Sequence, residues 1–600
     1  MSQKINLSEK QKQIVYAGDG PLLVKASAGS GKTRVLTERI RYLSKKTNRK
    51  FLAVTFANKA AEEMKERLKD ITKLQNRLFT GTFHGYCQYV LENHGNLVGL
   101  SKMPHIFEEE SDRLKLIEKA IQQTPSYNSD YRNQNRKEQR DSCYRALEFI
   151  SRVKREIIYD EDLFNESEDT NIGLLYNSYQ DILMSQNAID FDDLLLLTYN
   201  LFIEHDKISS LFRRTYQYIC IDEAQDLNNA QYKVLLAITK GEHKNVMLVG
   251  DPNQSIFAFN GSSPDFMTVN FVEDFNPEII ELKENYRSSK AVLRAAEKII
   301  PGSSDIINTV IEGIFEMHKL ADEKQEAEWI YDKIMELINI GKHENIEGNI
   351  THENIAVLAR NKYIFNTLEK ILSENDTPFY YKMTPGALKF ESDAMKIFDM
   401  ALRVRLNQRD TLHWNRLLDL LNIDINKANN LQSIVKIMES GINKQVLETV
   451  VSLNDDGSNI KSYLGGLKEL LNNNLTNIDE DEQMMVYNDI DAILNHWHNY
   501  AKKTDKKSLH HFRNAMALGQ THPLTQHNGI TLSTVHTMKG QEFDIIILMG
   551  MDDETFPDYR AIRSGGVEMT QEKNNLYVAF TRAKRFRNRS GRLSKEGGYG

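Results

Sequence analysis

Short apolar runs recur along the chain, each closed off by polar or turn-forming residues. They are PLLVKAS (21–27), FLAVTF (51–56), YICIDE (218–223), VMLVGD (246–251), NIAVLAR (354–360), ITLSTVH (530–536) and DIIILMG (544–550). Runs so short and so continuously apolar read as strands buried on both faces, as in a parallel sheet. Between them lie stretches with a 3.6-residue period, such as KAAEEMKERLKDI. Strands that alternate with helices predict an α/β fold built on parallel sheets.

Two stretches break this rhythm. Residues 91–205 and 411–525 are polar and helical in pattern, with no convincing parallel strand. They read as helical insertions, one into an α/β domain made of 1–90 and 206–283, the other into a domain made of 284–410 and 526–600. The second insertion carries the acidic run Asp479, Glu480, Asp481 and Glu482, which reads as a solvated loop between helices. No repeat of 20–50 residues is visible.

Composition narrows the class. A chain of 600 residues is too long for one hydrophobic core. Hydrophobic residues make up 40% and charged residues 27%, ordinary for a soluble globular protein. There is no apolar run long enough to span a membrane, and the polar start MSQKINLSEKQKQ is no signal peptide. Cys87, Cys143 and Cys220 are widely spaced, so neither a disulfide scaffold nor a zinc site is expected, and a reducing cytoplasm fits. The net charge of −8 does not itself suggest a nucleic-acid partner, although a local basic channel can coexist with an acidic exterior.

The first chemical motif follows the first apolar run: Ala26-Ser27-Ala28-Gly29-Ser30-Gly31-Lys32-Thr33, then the helix-like Arg34 onward. This is GxxxxGK[ST] with Ala26 in place of the first glycine. Glycines let backbone N–H groups close around phosphate oxygens, and the helix points its positive end at them. Lys32 can reach the β and γ phosphates and the Thr33 hydroxyl can ligate Mg²⁺, which makes Mg²⁺-ATP the expected cofactor. A second run, Tyr218–Ile221, ends in Asp222 and Glu223. Asp222 is suited to hold the metal, and Glu223 to orient and deprotonate the attacking water.

Asp222-Glu223-Ala224-Gln225-Asp226 reads DEAQD, and here the chain resembles the UvrD/Rep (PcrA-like) family of superfamily 1 DNA helicases. The resemblance runs in order from Leu7 to Lys584. LSEKQKQIV resembles the adenine-reading motif, with Gln11 at its glutamine. TFANKAAEEM and GTFHGY resemble motifs that contact single-stranded DNA, which implies DNA contacts for Thr55, Phe56, Asn58, Thr82 and His84. DFDDL (190–194) resembles a further motif of the first half. GDPNQSIFAFNG (250–261) resembles the motif linking ATP to DNA: Gln254 matches the γ-phosphate sensor, Phe257 and Phe259 the base-stacking aromatics. Stacking is sequence-tolerant, which suits a motor that must pass any sequence. ENYRSS supplies Tyr286 for adenine and Arg287 for the γ-phosphate. STVHTMKGQEF supplies His536 and Lys539 near DNA and Glu542 for the ribose. YVAFTRAK supplies Arg582 as the arginine finger.

The resemblance implies two RecA-like domains with ATP between them, and hydrolysis coupled to 3′-to-5′ movement on single-stranded DNA and to unwinding at single-strand/duplex junctions. Two other readings stay open: a translocase that strips proteins from DNA or drives a repair or anti-phage nuclease complex, and a non-enzymatic subunit with a decayed motor. The intact set of Lys32, Thr33, Asp222, Glu223, Gln254, Arg287 and Arg582 argues against the last. Asn260, Gln541 and Asn574 depart from the family's usual arginine, leucine and arginine. After Lys584 the sequence RFRNRSGRLSKEGGYG is basic and Gly-rich, and reads as a disordered tail that leaves the second sheet short of a strand. His510, His511, His522 and His527 read as surface histidines and Trp329 as a helix-packing residue; no nuclease-like carboxylate cluster stands out.

Overall fold

A computed structural model describes residues 7–592, apart from positions 75, 101–102, 159–171, 242, 307–308, 310, 345, 347, 383–387, 473–478, 505–506 and 523–527. His527 and the tail from 593 onward lie outside the described residues. By internal contacts the chain divides into two compact units. The first comprises Met1–Tyr86, Phe202–Thr384 and Thr525–Gly600, the second Cys87–Leu201 and Pro385–Leu524. The segment of the second unit that corresponds to the second insertion thus begins at Pro385 rather than at the expected 411, because helix Asp393–Leu406 buries Met395, Phe398 and Leu402 in its core.

In chain order the strands are β1 (Leu22–Ala26), β2 (Lys50–Thr55), β3 (Leu78–Thr82), β4 (His105–Ile106), β5 (Ala188–Ile189), β6 (Tyr216–Ile221), β7 (Val246–Gly250), β8 (Glu278–Leu282), β9 (Ile314–Leu320), β10 (Ile355–Ala359), β11 (Phe379–Tyr381), β12 (Ile530–Thr534), β13 (Phe543–Leu548) and β14 (Ala583–Arg592). The first unit holds two six-stranded sheets, ordered β3-β2-β6-β7-β1-β8 and β11-β12-β10-β13-β14-β9. All their pairings are parallel. Every residue of β7 and β10 is buried, as the unbroken apolar runs require. In the first sheet the phosphate loop follows β1, DEAQD follows β6 and the Gln254 segment follows β7. These are the carboxyl ends of adjacent strands, where α/β sheets place ligands.

The seven apolar runs are all strands. The strands that the hydrophobic pattern passes over include β3, β8, β9 and β11, which are the four sheet edges. An edge strand buries less: β8 is exposed at Glu278, Ile279 and Glu281, and β11 is only half-buried. The fifth, β14, is a correction. Residues after Lys584 do not leave the second sheet short of a strand. They run on to Arg592 between β13 and β9, with partners from Phe586↔Ile314 to Arg592↔Leu320. Composition misreads the segment because the ladder is made by backbone groups, which any side chain carries.

The second unit is helical, with one short parallel pair, β4 and β5. Its acidic run is a second correction. Asp479 caps helix Glu480–Lys503, its side chain accepting from the Glu482 N–H at 2.8 Å, and the three acids after it fill the first turn. Carboxylates there face the positive end of the helix, which favours a helix start over a loop. Trp329 packs against the core of the second sheet.

Candidate nucleotide and DNA site

β1 delivers a loop in which Gly29 and Gly31 hold φ of 72° and 86°, a region that side chains disfavour. Helix Lys32–Lys46 starts directly after it, with Lys32 and Thr33 in its first turn. The loop closes on itself: Ser30 Oγ donates to the Ser27 carbonyl at 2.7 Å. Ala26, Ala28 and Ser30 are buried. Gln11 is buried beside the loop, its Nε2 donating to Ser30 O at 3.2 Å and its Oε1 capping Ser8 N–H. The carboxamide therefore couples the first helix to the loop as well as standing at the adenine-reading position.

Thr33 Oγ1 donates to Asp222 Oδ2 at 2.8 Å, which joins the two halves of the expected metal site. Glu223 leaves β6 with φ of 53°, a strained setting for a side-chain-bearing residue and one common at functional sites. Burial and the adjacent Glu223 charge raise Asp222 well above the usual carboxylate range. Burial pushes Glu223 the same way, but Lys32, Lys539 and Arg582 outweigh it and keep Glu223 ionised. An ionised carboxylate is the form that accepts a proton from water.

The second sheet supplies the other wall. Arg582 is buried, its Nε donating to Val578 O at 3.2 Å and its Nη2 to Gln254 Oε1 at 3.0 Å. Gln254 in turn donates to Asp251 Oδ2 at 2.6 Å. Burial and the nearby Arg287 lower Arg582 to about 10, still far above neutrality. Arg287 pairs with Glu542. Tyr286 presents an exposed ring, its hydroxyl donating to Glu284 at 2.7 Å. Arg34 packs its Cβ near Gly31.

The residues expected at DNA form a second group. Thr55 and Thr82 are register partners at the carboxyl ends of β2 and β3. The Thr55 hydroxyl is buried without a hydrogen-bond partner among the described residues, while Thr82 Oγ1 accepts from Gly85 N–H at 3.1 Å. Asn58 opens helix Asn58–Leu68, and burial lowers half-buried His84 to about 4. Phe56 stacks on Phe257 at 4.9 Å and 22°. Phe259, 66% exposed, lies edge-on to Phe257 at 6.0 Å and to His536 at 5.8 Å. Burial, with Arg360 and Lys539 nearby, lowers His536 to about 4, so the ring is neutral. First-sheet and second-sheet residues thus meet in one aromatic cluster.

Lys539 is placed differently from the other DNA candidates. Its ammonium donates to both Asp226 oxygens at 2.7 and 2.5 Å and to Gln254 O at 2.5 Å, and lies 5.0 Å from the Phe257 ring centre. It bridges the nucleotide residues and the aromatic cluster. The chemistry also uses residues that the motif reading quoted without a role. Gln225 donates to Glu223 Oε2 at 2.7 Å and accepts from Asp251 N–H at 2.9 Å, holding Glu223 against the Gln254 segment. Asn574 donates to Ser255 O at 3.1 Å, a neutral contact between the sheets. Gln541 offers Arg582 its carbonyl, and Asn260 closes a backbone turn onto Phe257 O.

Comparison with known proteins agrees with this geometry. The UvrD/REP helicase N-terminal domain matches residues 7–276, and the UvrD-like helicase C-terminal domain residues 280–586. The chain belongs to the UvrD/REP helicase family. It is similar to the ATP-dependent DNA helicase PcrA of Staphylococcus aureus strain MRSA252, 29% identical over 628 residues that span 96% of this chain and 82% of that protein. PcrA of Staphylococcus epidermidis strain ATCC 12228 matches at 29% over 625 residues with the same coverage. This UvrD-like protein is an ATP-dependent DNA helicase. Among its described residues no helix is long and apolar enough to cross a membrane.

Proposed function

We propose that this helicase couples Mg²⁺-ATP hydrolysis to 3′-to-5′ stepping on single-stranded DNA, and opens duplex at single-strand/duplex junctions. The observation that carries the reading is the cluster of Phe56, Phe257, Phe259 and His536, drawn from both sheets and joined to the nucleotide residues through Lys539. A base held by such a cluster feels any change in the distance between the sheets, and ATP binds where Arg287 and Arg582 face Lys32 and Glu223. The polarity rests on family resemblance.

In this reading Lys32 binds the β and γ phosphates and Gln254 senses the γ-phosphate. Glu223 takes the proton of the attacking water as its oxygen bonds to the γ phosphorus and the β–γ bridging oxygen leaves with ADP. Arg287 and Arg582 stabilise the charge that develops on the transferred group. Thr33 and Asp222 offer hard oxygen donors, and the raised Asp222 carboxyl fits a group that a cation would ionise. When bound, Mg²⁺ neutralises phosphate charge. Three buried free cysteines fit a reducing compartment such as the cytoplasm.

Strand displacement on 3′-tailed and 5′-tailed duplexes tests polarity and unwinding together. Efficient opening of the 3′-tailed substrate alone supports the reading. Brisk hydrolysis with poor displacement on both identifies a translocase that clears proteins or drives a partner nuclease. In a stepping assay on poly-dT, Phe259→Ala is expected to slow movement by roughly tenfold, from stacking of about 1–3 kcal/mol per base, with DNA-free hydrolysis unchanged. Normal stepping would make Phe259 a packing residue.

A further inference from the structure

The turn after β8 that carries Tyr286 and Arg287 is zipped to the phosphate loop by one side chain. Asn285 is buried, with Nδ2 donating to Ala28 O at 2.7 Å. Its Oδ1 accepts from Arg287 N–H at 2.8 Å and from Ser288 N–H at 2.7 Å. This fixes which end of the amide is which: the opposite orientation would set oxygen against the Ala28 carbonyl and NH₂ against two N–H groups. Beside it, Tyr286 N–H donates to Gly29 O at 3.0 Å. The seam is tight. A Cβ on Gly29 would lie 2.7 Å from Asn285 Nδ2 and 2.8 Å from Arg287 Cβ. The far end of the turn is tied too, Ser289 N–H donating to Lys584 O at 2.8 Å, two residues past Arg582.

We propose that Asn285 is a positioning residue for hydrolysis: it reads the shape of the phosphate loop through Ala28 O and sets the backbone of Arg287 accordingly. A carboxamide supplies the donor to the loop and the acceptor for two N–H groups from two separate atoms, so one short side chain reaches both sides of the seam. Any rearrangement of Ala28 and Gly29 around phosphates moves that donor's partner, and with it the turn that bears Arg287. Sequence reading assigned no role to Asn285, because its neighbours Tyr286 and Arg287 match the ligand-facing positions. The inference rests on the nucleotide-site reading given above.

Asn285→Asp separates the two arms, since a carboxylate keeps the acceptor and loses the donor. The test is single-strand-stimulated ATP turnover of the full chain with Asn285→Asp, Arg287→Ala and the double variant, with nucleotide-free binding to a dT oligonucleotide as the measure of intact fold. Expected is a fall in kcat of roughly tenfold or more for Asn285→Asp, the scale of one well-placed hydrogen bond. Adding it to Arg287→Ala is expected to cost less than about threefold, because a residue that acts through Arg287 has nothing left to position. An equal loss in both backgrounds, or a loss below about threefold in the wild-type background, overturns the proposal. If Arg287→Ala itself leaves kcat unchanged, the nucleotide-site reading fails and takes the proposal with it. Should Asn285→Asp lose DNA binding, Asn285→Ser, neutral but too short to span both sides, carries the same comparison with the same criteria.

Discussion

Buried charge gathers in two places, and the two are neutralised in opposite ways. In the helical unit Arg403 and His413 are closed in by acids. His413 lies between Asp410 at 2.6 Å and Asp112 at 3.1 Å, and Arg403 holds Asp399 and Glu108 at 2.8 Å each. Around the phosphate loop, Asp222 and Glu223 are neighbours on one strand end, and Asp222 takes its side-chain hydrogen bond from a neutral hydroxyl. The consequences differ. Burial would raise Asp112, but His413, Arg403 and Arg416 hold it down at about 2, whereas Asp222 is left raised. A closed network spends its charge on structure, because breaking one partner of a buried pair leaves the other uncompensated. An open one keeps charge available for a ligand that brings its own. Burial of charge alone does not mark a site.

The comparison breaks most visibly at Arg582. Truncating it to alanine is expected to cut hydrolysis by roughly 10³–10⁵ with little change in ATP affinity, since a finger acts on charge developing in the transition state. With β14 in place directly after it, the wild-type chain should turn over briskly. Slow turnover in both proteins would mean that Arg582 is not held in the cleft. Next comes Glu223→Gln, which keeps size but cannot accept the water's proton. A loss of roughly 10²–10⁴ in turnover with ATP binding retained is expected, and a loss under about threefold would remove Glu223 as the base.

The difference between the regions also explains what could be read from the sequence. The phosphate loop, DEAQD and the aromatic segment are contiguous, so their spacing alone specifies them, and Lys32, Thr33, Asp222 and Glu223 come together as expected. The interior strands β1, β6, β7 and β10 announce themselves by near-continuous apolar runs, buried throughout in β7 and β10 and at all but one position in β1 and β6. Edge strands do not, and neither does β14, whose segment is basic and Gly-rich yet pairs along its backbone with β13 and β9. Asn285, Gln225 and Asp251 act through partners distant in the chain, and Arg403, His413 and Arg513 make a network only when two insertions fold together. A lone Asn or His in a polar helix carries no mark of the partner it will find.

Lys539 stands between the two kinds of region. Its pairing with Asp226 is as buried as those of the helical unit, with side chains 8% and 1% exposed, yet it lies between Gln254 and Phe257. If it couples nucleotide to DNA, Lys539→Met with Asp226→Asn, which removes both charges, should keep the fold while the ratio of DNA-stimulated to DNA-free hydrolysis falls roughly tenfold. Removing both partners avoids the cost of a stranded charge. Undiminished stimulation by poly-dT would class the pair with the structural ones.

The smallest effect belongs to the closed network and appears as pH dependence of stability. His413 is opposed by burial and by Arg403, but its hydrogen bonds to Asp112 and Asp410 prevail and raise it above the ordinary 6.5. A raised histidine contributes stability that is full below 6.5 and is lost as pH climbs through its folded value. Glu108, raised to about 7 by burial against an ordinary 4.5, also favours the protonated form and loses stability in the same direction. Asp112, held near 2, contributes stability that is lost only in acid, outside this window. Urea unfolding of the helical unit should therefore become easier as pH rises from 4.5 through about 7, where Glu108 acts, and further as it rises above 6.5, where His413 does. Trp414 and Trp497 lie in that unit and Trp329 does not, so tryptophan fluorescence in a Trp329→Phe background follows it alone. His413→Gln should flatten the slope without abolishing it, since Glu108 remains. ATP turnover needs neither group, so the variant's pH–rate profile should match that of wild type. An unchanged unfolding slope would mean that His413 stays neutral between its two acids, and that the helical network is less fully neutralised than its geometry indicates.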